Sequence, residues 1–527
     1  LELSHEKELD EKILKKIRNK LTKANGGLLP KNLELIQAYH ELIKEGKIKA
    51  SFEIIKVIQK RKVRTLSGIA NITVLTKDLG CPGQCIYCPS EKGMPKSYLS
   101  NEPAMMRAVR NDFSSYKQVK TRLNGLVAQG HEVSKIDIRT AGGTWGSIPV
   151  WYQIGFIKEI YYALNEGPGE IDEDYKSKIE NYELEDLIKK NETAECRCVG
   201  LWVETRPDWI DKEELTRLRS YGVTGIELGI QSTDDKVNEI CKRGHGIKES
   251  VEGTKMCRDI GLKICHHLMP NLPGSTLESD LKSGIDLFEN KGLRPDYIKI
   301  YPCMVVPFSK LEKMVKEDPN FHRPYTDEEL IQITAEIKKH VPRYCRIIRI
   351  IRDIPAESIV IGSTKSNLRQ EMQRLGVECE CIRCREIKDN EIKDSELRVS
   401  EYEANDGKEV FITFDESNLD KLIGLCRLRL PKTPNESIFE ELKGAAIIRE
   451  LHVYGRQKSI EEKTELKSDS QHMGFGKRLM KEAERLSKES GFKKVAIISA
   501  VGTREYYKKL GYKLEGTYMT KEFANSQ

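Results

Sequence analysis

The chain has 527 residues, a length that suits three or four domains of roughly 150 residues each. Charged residues make up 32% and hydrophobic ones 38%, and mean hydropathy is −0.53. No run approaches the ~18–20 apolar residues of a membrane span, and residues 1–10 lack the apolar core of a signal peptide, so membrane and secreted classes are disfavoured. With no secretory signal, the 14 cysteines point to a reducing, cytoplasmic setting rather than a disulfide scaffold. The net charge is only +6, yet residues 1–70 hold 16 Lys and Arg against 9 Asp and Glu, so the positive excess sits in the first segment. The chain begins at Leu1 rather than Met, and a few native residues are expected to precede it.

The first predicted element is an amphipathic basic helix over residues 6–22. Leu9, Ile13, Ile17 and Leu21 recur at four-residue spacing, with Lys12, Lys15, Lys16, Arg18, Lys20 and Lys23 on the other faces. Asn25-Gly26-Gly27 stops it, a second helix is predicted over 32–46, and Lys60-Arg61-Lys62-Val63-Arg64 closes a basic segment spanning 1–68. A solvated face docked on the body would account for this charge; nucleic-acid contact is preferred because of the chemistry downstream.

Over residues 69–344, strands are predicted at 69–75, 135–139, 199–204, 224–228, 263–268 and 297–301, with helices between them, such as 213–221 and 247–260. This α/β alternation implies a parallel sheet curled into a full or partial TIM-like barrel, with its chemistry at the C-terminal strand ends. Residues 166–195 read as a surface excursion. Directly after the first strand comes Cys81-Pro-Gly-Gln-Cys85-Ile-Tyr-Cys88. Three thiolates at this spacing can hold three irons of a 4Fe–4S cluster, leaving the fourth open for S-adenosylmethionine. A structural zinc site would need a fourth ligand that this loop does not supply. Tyr87 suits packing against an adenine. Gly142, Gly143 and Thr144 follow the second strand, where glycine lets backbone approach a ligand closely. Glu204, Arg206 and Gln231 end later strands with polar groups, as a cofactor-lined mouth would.

Residues 345–390 open with an Arg-rich strand and continue to Cys379-Glu-Cys381-Ile-Arg-Cys384, a cysteine-rich linker with the look of a zinc clip. The fourth ligand is open among His266, His267, His322, His340 and Cys345; reduced structural thiols are the other reading. Cys196 and Cys198 read as strand-entry packing, and the six dispersed cysteines as buried small side chains. Residues 391–527 carry an independent α/β pattern, with strands at 410–414, 422–430, 445–453 and 494–499 and a helix over 476–490. Gln471-His-Met-Gly474-Phe-Gly476 opens that helix, so its glycines and N-terminus form a pyrophosphate cradle. Strand, Q-x-x-G-x-G helix and strand in this order make the coenzyme A site of GNAT-type acyltransferases. The end of the preceding strand offers an open backbone edge for the pantetheine arm, and Tyr506-Tyr507 follows the next strand, where such folds place a Tyr near the acyl thioester.

A radical S-adenosylmethionine barrel joined to a GNAT domain, with Arg64-Thr-Leu-Ser-Gly68, Glu102-Pro-Ala-Met, Glu204-Thr-Arg-Pro-Asp208, Met269-Pro-Asn-Leu-Pro-Gly274, Glu450-Leu-His-Val-Tyr-Gly455 and Gly502-Thr-Arg-Glu-Tyr-Tyr507, resembles the Elongator catalytic-subunit family of tRNA carboxymethyluridine synthases over essentially the whole chain. The resemblance implies the chemistry. An adenosyl radical takes hydrogen from the methyl group of acetyl-CoA, the acetyl radical adds to carbon 5 of the wobble uridine, and oxidation with thioester hydrolysis leaves a carboxymethyl group. By position it implies that Cys81, Cys85 and Cys88 hold the cluster. Lys135 would contact acetyl-CoA from the barrel side, and Glu450, Leu451, His452, Val453, Phe475, Gly476, Lys477 and Tyr507 from the GNAT side. The basic N-terminal segment corresponds to a tRNA-binding region. The compact cysteine spacing points to a prokaryotic or archaeal type, whereas Arg139-Thr-Ala-Gly-Gly-Thr-Trp145 departs from the family's usual apolar run before Gly-Gly-Thr. A homodimer or Elongator-like partner subunits both stay open, and the electron donor has no signature in the chain.

Two other readings compete. A protein-lysine acetyltransferase with a structural cluster leaves the open-iron spacing, the Gly142-Gly143-Thr144 turn and the N-terminal charge without purpose. A non-catalytic RNA-binding scaffold leaves the Q-x-x-G-x-G loop unexplained.

Overall fold

The computed structural model describes residues 2–5, 9–24, 26–49, 51–58, 68–365, 367–388, 390–455 and 474–524. Seven parallel strands form one sheet in chain order: β1 (Ile69–Leu75), β2 (Lys135–Ala141), β3 (Arg197–Thr205), β4 (Gly225–Gln231), β5 (Lys263–Leu268), β6 (Tyr297–Ile300) and β7 (Arg346–Ile350). Among the described residues no ladder joins β7 back to β1, so the sheet is a partial barrel. Strand periodicity sorts the side chains. In β2, Ile136 and Ile138 are buried in the hydrophobic core, while Lys135, Asp137 and Arg139 turn into the barrel lumen.

The Arg-rich strand expected at the start of the linker is β7, and it pairs with β6 from Tyr297↔Arg346 onward, so it belongs to the barrel sheet. Ile347 and Ile350 are its buried residues. Residues 166–195 form a mostly exposed excursion that is nonetheless folded. They include the helices Tyr175–Ile179 and Leu184–Asn191; Tyr175 stacks on Tyr116 at 4.2 Å, and Leu187 and Ile188 are buried.

The C-terminal part is a second seven-stranded sheet with strands β8 (Ser395–Ala404), β9 (Gly407–Glu416), β10 (Lys421–Pro431), β11 (Ala445–Val453), β12 (Lys494–Ile497), β13 (Lys513–Glu515) and β14 (Tyr518–Glu522), in the order β13-β14-β12-β11-β10-β9-β8. Only β11 and β12 run parallel, and they pair just from Ala445↔Lys494 to Ile448↔Ile497. Beyond Ile448 the two splay, leaving the last residues of β11 without that neighbour. Helix Phe475–Glu489 packs Phe475, Leu479, Met480 and Ala483 onto the sheet.

The two sheets share one hydrophobic core, in which Ile260 and Leu262 of the barrel meet Ala445, Ile447 and Tyr518. The approach is close: a Cβ on Gly502 would lie 2.5 Å from the Cβ of Arg197. At the N-terminus, α1 (Glu11–Ala24), α2 (Asn32–Lys44) and α3 (Phe52–Ile58) gather Leu14, Ile36, Tyr39, Ile54 and Ile58 into a small core. Asp10 caps α1, its Oδ1 accepting from the Ile13 amide at 2.7 Å. Among the described residues no helix is long and apolar enough to cross a membrane.

Candidate active site: two cavities on one barrel

The C-terminal strand ends surround a cavity of about 510 Å³ lined by Cys81, Cys85, Cys88, Gly143, Thr144, Glu204, Arg206 and Gln231. All three motif cysteines therefore converge with the residues expected to hold S-adenosylmethionine; Gly142 lies next to Gly143 in the same turn. Cys81 Sγ is 3.5 Å from Thr144 Oγ1. Gly142 sits at φ +135, and a Cβ there would lie 2.1 Å from Thr76 Oγ1, so the turn requires glycine. Tyr98 donates to Glu204 Oε2 at 3.1 Å, and Arg206 forks onto Asp208 at 2.9 and 2.7 Å.

The sequence motif did not mark Arg243, which donates to Cys85 Sγ at 3.3 Å and to the Gly229 carbonyl. A hydrogen bond from Cys88, then the charges of Arg243 and Arg206, hold the Cys85 thiol down at about 4 although burial opposes it. The only sequence trace of Arg243 is a cation beside the glycines of Cys241-Lys-Arg-Gly-His-Gly246.

The donor set fits an iron–sulfur cluster. The three sulfurs do not gather within 4.8 Å of one another, unlike the triad at Cys379, Cys381 and Cys384, so they are not pinched around one small ion. A Cβ on Gly83 would project among them, 3.5 Å from Cys81 Sγ, 3.7 Å from Cys85 Sγ and 2.8 Å from Arg206 Nη1. Gln231, at φ +71, and Tyr87 each keep a buried side-chain oxygen without a hydrogen-bond partner among the described residues.

At the N-terminal end of the same barrel, between the two sheets, lies a cleft of about 1710 Å³. Lys135 lines it from the barrel; Glu450, Leu451, His452, Val453, Gly474, Gly476, Lys477, Tyr506 and Tyr507 line it from the other sheet. Phe475 is buried in the helix packing, so its side chain serves the core. Gln471 lies outside the described residues. Gly474 caps the helix at φ +71, and a Cβ on Gly476 would meet Tyr506 Oη at 3.0 Å. Tyr507 is buried and packs edge-on against Tyr506, 36% exposed, with ring centres 5.3 Å apart. The splayed end of β11 carries Glu450, whose Oε2 accepts from Arg427 Nε at 2.8 Å, and His452, whose Nε2 has no partner among the described residues. Burial lowers the His452 imidazole to about 4, and burial, then Arg197, lowers the Lys135 ammonium. An open strand edge, a helix N-terminus with open space beside Gly474 and an orphaned imidazole nitrogen fit a coenzyme with a pyrophosphate and an amide-bearing arm.

The cysteine triad forms part of this cleft's wall through Cys379 and Cys384. Hydrogen bonds from Cys379 and Cys384 hold Cys381 low, at about 2. Among the described residues none of the fourth-ligand candidates joins the three thiols within 4.8 Å, Cys345 included: His267 lies instead with Glu227 and Cys265, and His266 bonds Thr254. Of the fourth-ligand candidates, Cys345 is the one whose backbone is tied to the motif, its carbonyl accepting from the Ile382 amide at 3.0 Å.

In the N-terminal segment, Lys12, Lys15, Lys16 and Lys20 are exposed on α1. Arg18 is instead half-buried and donates to Asn32 Oδ1 at 2.6 Å, tying α1 to α2. Lys60, Arg61, Lys62 and Arg64 lie outside the described residues.

The chain is similar to known proteins over most of its length. Residues 169–282 match the Radical SAM superfamily, 295–376 the Radical_SAM C-terminal domain and 382–512 the Acetyltransferase (GNAT) family. A tRNA uridine(34) acetyltransferase of Methanocaldococcus infernus is 38% identical over 94% of this chain and 91% of its own length. Elongator complex protein 3 of Mus musculus is 36% identical over 89% of this chain and 86% of its own. The solved structure of an N-terminally truncated Elp3 from M. infernus superposes with a TM-score of 0.73 at 36% identity, covering 87% of this chain and all of that one.

Proposed function

The chain belongs to the family of the tRNA uridine(34) acetyltransferases and Elongator complex protein 3, and we propose that it adds a carboxymethyl group to carbon 5 of the tRNA wobble uridine. The observation that carries this reading is one barrel with a three-cysteine mouth at one end and, at the other, a large cleft lined by both sheets. Cys81, Cys85 and Cys88 would hold a 4Fe–4S cluster, the strand-end residues Glu204, Arg206 and Gln231 would hold S-adenosylmethionine, and the splayed β11 with the helix beginning at Phe475 would hold acetyl-CoA. When bound, these groups supply one-electron bond cleavage on one side and a two-carbon thioester on the other.

The chain's own residues do the positioning. Arg243 keeps Cys85 ionised as a ligand. Gly142 and Gly143 hold backbone close to the mouth where a side chain would block it. Gly474 and Gly476 leave backbone amides open to a pyrophosphate, and His452 offers a neutral ring nitrogen to an amide-bearing arm. Lys135, Arg197, Lys263, Arg346 and Lys477 make the larger cleft cationic, which suits phosphate-bearing ligands. The lysines of α1 would add tRNA contacts. Zinc at Cys379, Cys381 and Cys384 would brace the cleft wall.

Anaerobic incubation of the reconstituted protein with S-adenosylmethionine, reductant, acetyl-CoA and tRNA should release 5′-deoxyadenosine and yield a carboxymethylated nucleoside. Acetylation of a lysine peptide with no 5′-deoxyadenosine would instead make the chain a protein acetyltransferase.

A further inference from the structure

The two cavities lie at opposite ends of one barrel. A seven-residue strand such as β1 spans roughly 20 Å, so the sites that the proposed reaction joins are separated by the length of the lumen. Among the described residues, the linings of the two cavities share only Asn71 and Arg139.

The lumen between them is closed by charge. Arg139 pairs with Glu227, which also takes Lys299 and lies 2.8 Å from His267 Nε2. The Arg139 guanidinium sits 4.4 Å from the centre of the Trp202 ring, and its Nε is 3.3 Å from Asp137 Oδ2. Trp202 in turn donates to Asp137 Oδ1 at 2.9 Å and packs edge-on against Tyr297. Arg139 therefore touches two carboxylates that face different ways: Glu227 lines the cluster-side cavity and Asp137 the coenzyme-side cleft.

Resting on the function proposed above, we propose that Arg139 is a gate in the barrel lumen: by leaving Glu227 for Asp137 it opens the way for the acetyl thioester to pass from the coenzyme-side cleft to the cluster side. The exchange is electrostatically cheap. Glu227 keeps Lys299 and His267, Arg139 keeps a carboxylate, and no buried charge is left unpaired. The thioester is the moving partner because it rides on a long flexible arm, whereas the cluster is fixed by three cysteines.

Two reporter thiols test the gate, each in the full reconstituted chain and mapped by peptide mass spectrometry. Val199→Cys lines only the coenzyme-side cleft and Thr73→Cys only the cluster-side cavity. Bromoacetyl-CoA, a thiol-alkylating analogue, should label Val199→Cys readily, with protection by desulfo-CoA. If it does not, the seating of the coenzyme is wrong and the functional reading fails with it. Given that labelling, Thr73→Cys should be alkylated slowly with Arg139 present. Arg139→Ala should speed it about ten-fold or more, as expected when a closed form that leaves the open one at 0.1–10% is removed, and desulfo-CoA should suppress the gain. Arg139→Lys should stay near the parent rate, and Arg139→Gln, which keeps bulk without charge, should follow Arg139→Ala even if the alanine variant folds poorly. Unchanged labelling of Thr73→Cys in both neutral variants, with Val199→Cys still labelled, would overturn the gate.

Discussion

At the scale of single residues, the chemistry depends on small choices around the cysteine loop. Cys85 is mostly buried, and a buried thiolate needs a cation. Arg243 supplies it, so Arg243→Met should weaken iron retention about ten- to hundred-fold, the usual cost of losing an outer-shell partner of a ligand. The measurement is iron content and cluster absorbance during a timed chelator challenge; retention equal to that of the parent would remove Arg243 from the ligand set's support. The cysteine spacing and the glycine turn were legible in the sequence because covalent spacing and φ > 0 leave residue-type signatures. Arg243 was not, since an arginine more than 150 positions from its sulfur looks like any surface cation until the fold closes. The same holds for Gly83, whose missing Cβ matters only because Arg206 and two thiols converge on it.

At the scale of elements, strands with an apolar face were legible to the residue: β1, β5 and β11 fall where periodicity places them. Strands without such a face were harder to place. β7 reads as an Arg-rich strand, but its arginines hid its membership of the barrel sheet, where Arg346 pairs with Glu386. β8 is an edge strand, mostly exposed along its length. Helix α1 shows the limit from the other side. Its apolar stripe was readable, yet Arg18, which looked like a free surface cation, is half-buried and ties α1 to Asn32 of α2. Lys12, Lys15 and Lys16 remain exposed. Reversing these three to Glu should weaken tRNA binding and shallow the slope of log affinity against log salt by about two, near 0.7–0.9 for each phosphate that a lysine no longer neutralises. Fluorescence anisotropy across a salt series reads the slope, with far-ultraviolet circular dichroism to show that the helix persists. An unchanged slope would take α1 out of the interface.

At the scale of the whole molecule, nothing in the sequence shows that the two sheets are welded, because the weld is made of charges that are distant in the chain. Asp296, just before β6, is fully buried; Arg449 of β11 grips it at 2.9 and 3.0 Å, and Arg427 of β10 lies at 3.5 Å. Arg258 approaches from the barrel side at 3.9 Å, and Glu409 of β9 balances Arg429 at 2.9 Å and Arg449 at 3.5 Å. Burial alone would raise the Asp296 carboxyl, but Arg449, Arg427 and Arg258 outweigh it and hold the group at about 2. A carboxyl depressed from about 3.9 in the unfolded chain contributes stability that is complete above pH ~4 and is lost as pH falls through about 2, on the order of 2 kcal/mol. Removing the charge outright costs more, because three buried arginines then lose a shared partner. Asp296→Asn should destabilise the protein by about 3–5 kcal/mol at neutral pH, and its stability should no longer fall as steeply between pH 4 and 2. Since one core runs through both sheets, calorimetry should show a single unfolding transition that moves as a whole. If the C-terminal sheet melted at its parental temperature while the barrel alone shifted, these charges would not join them.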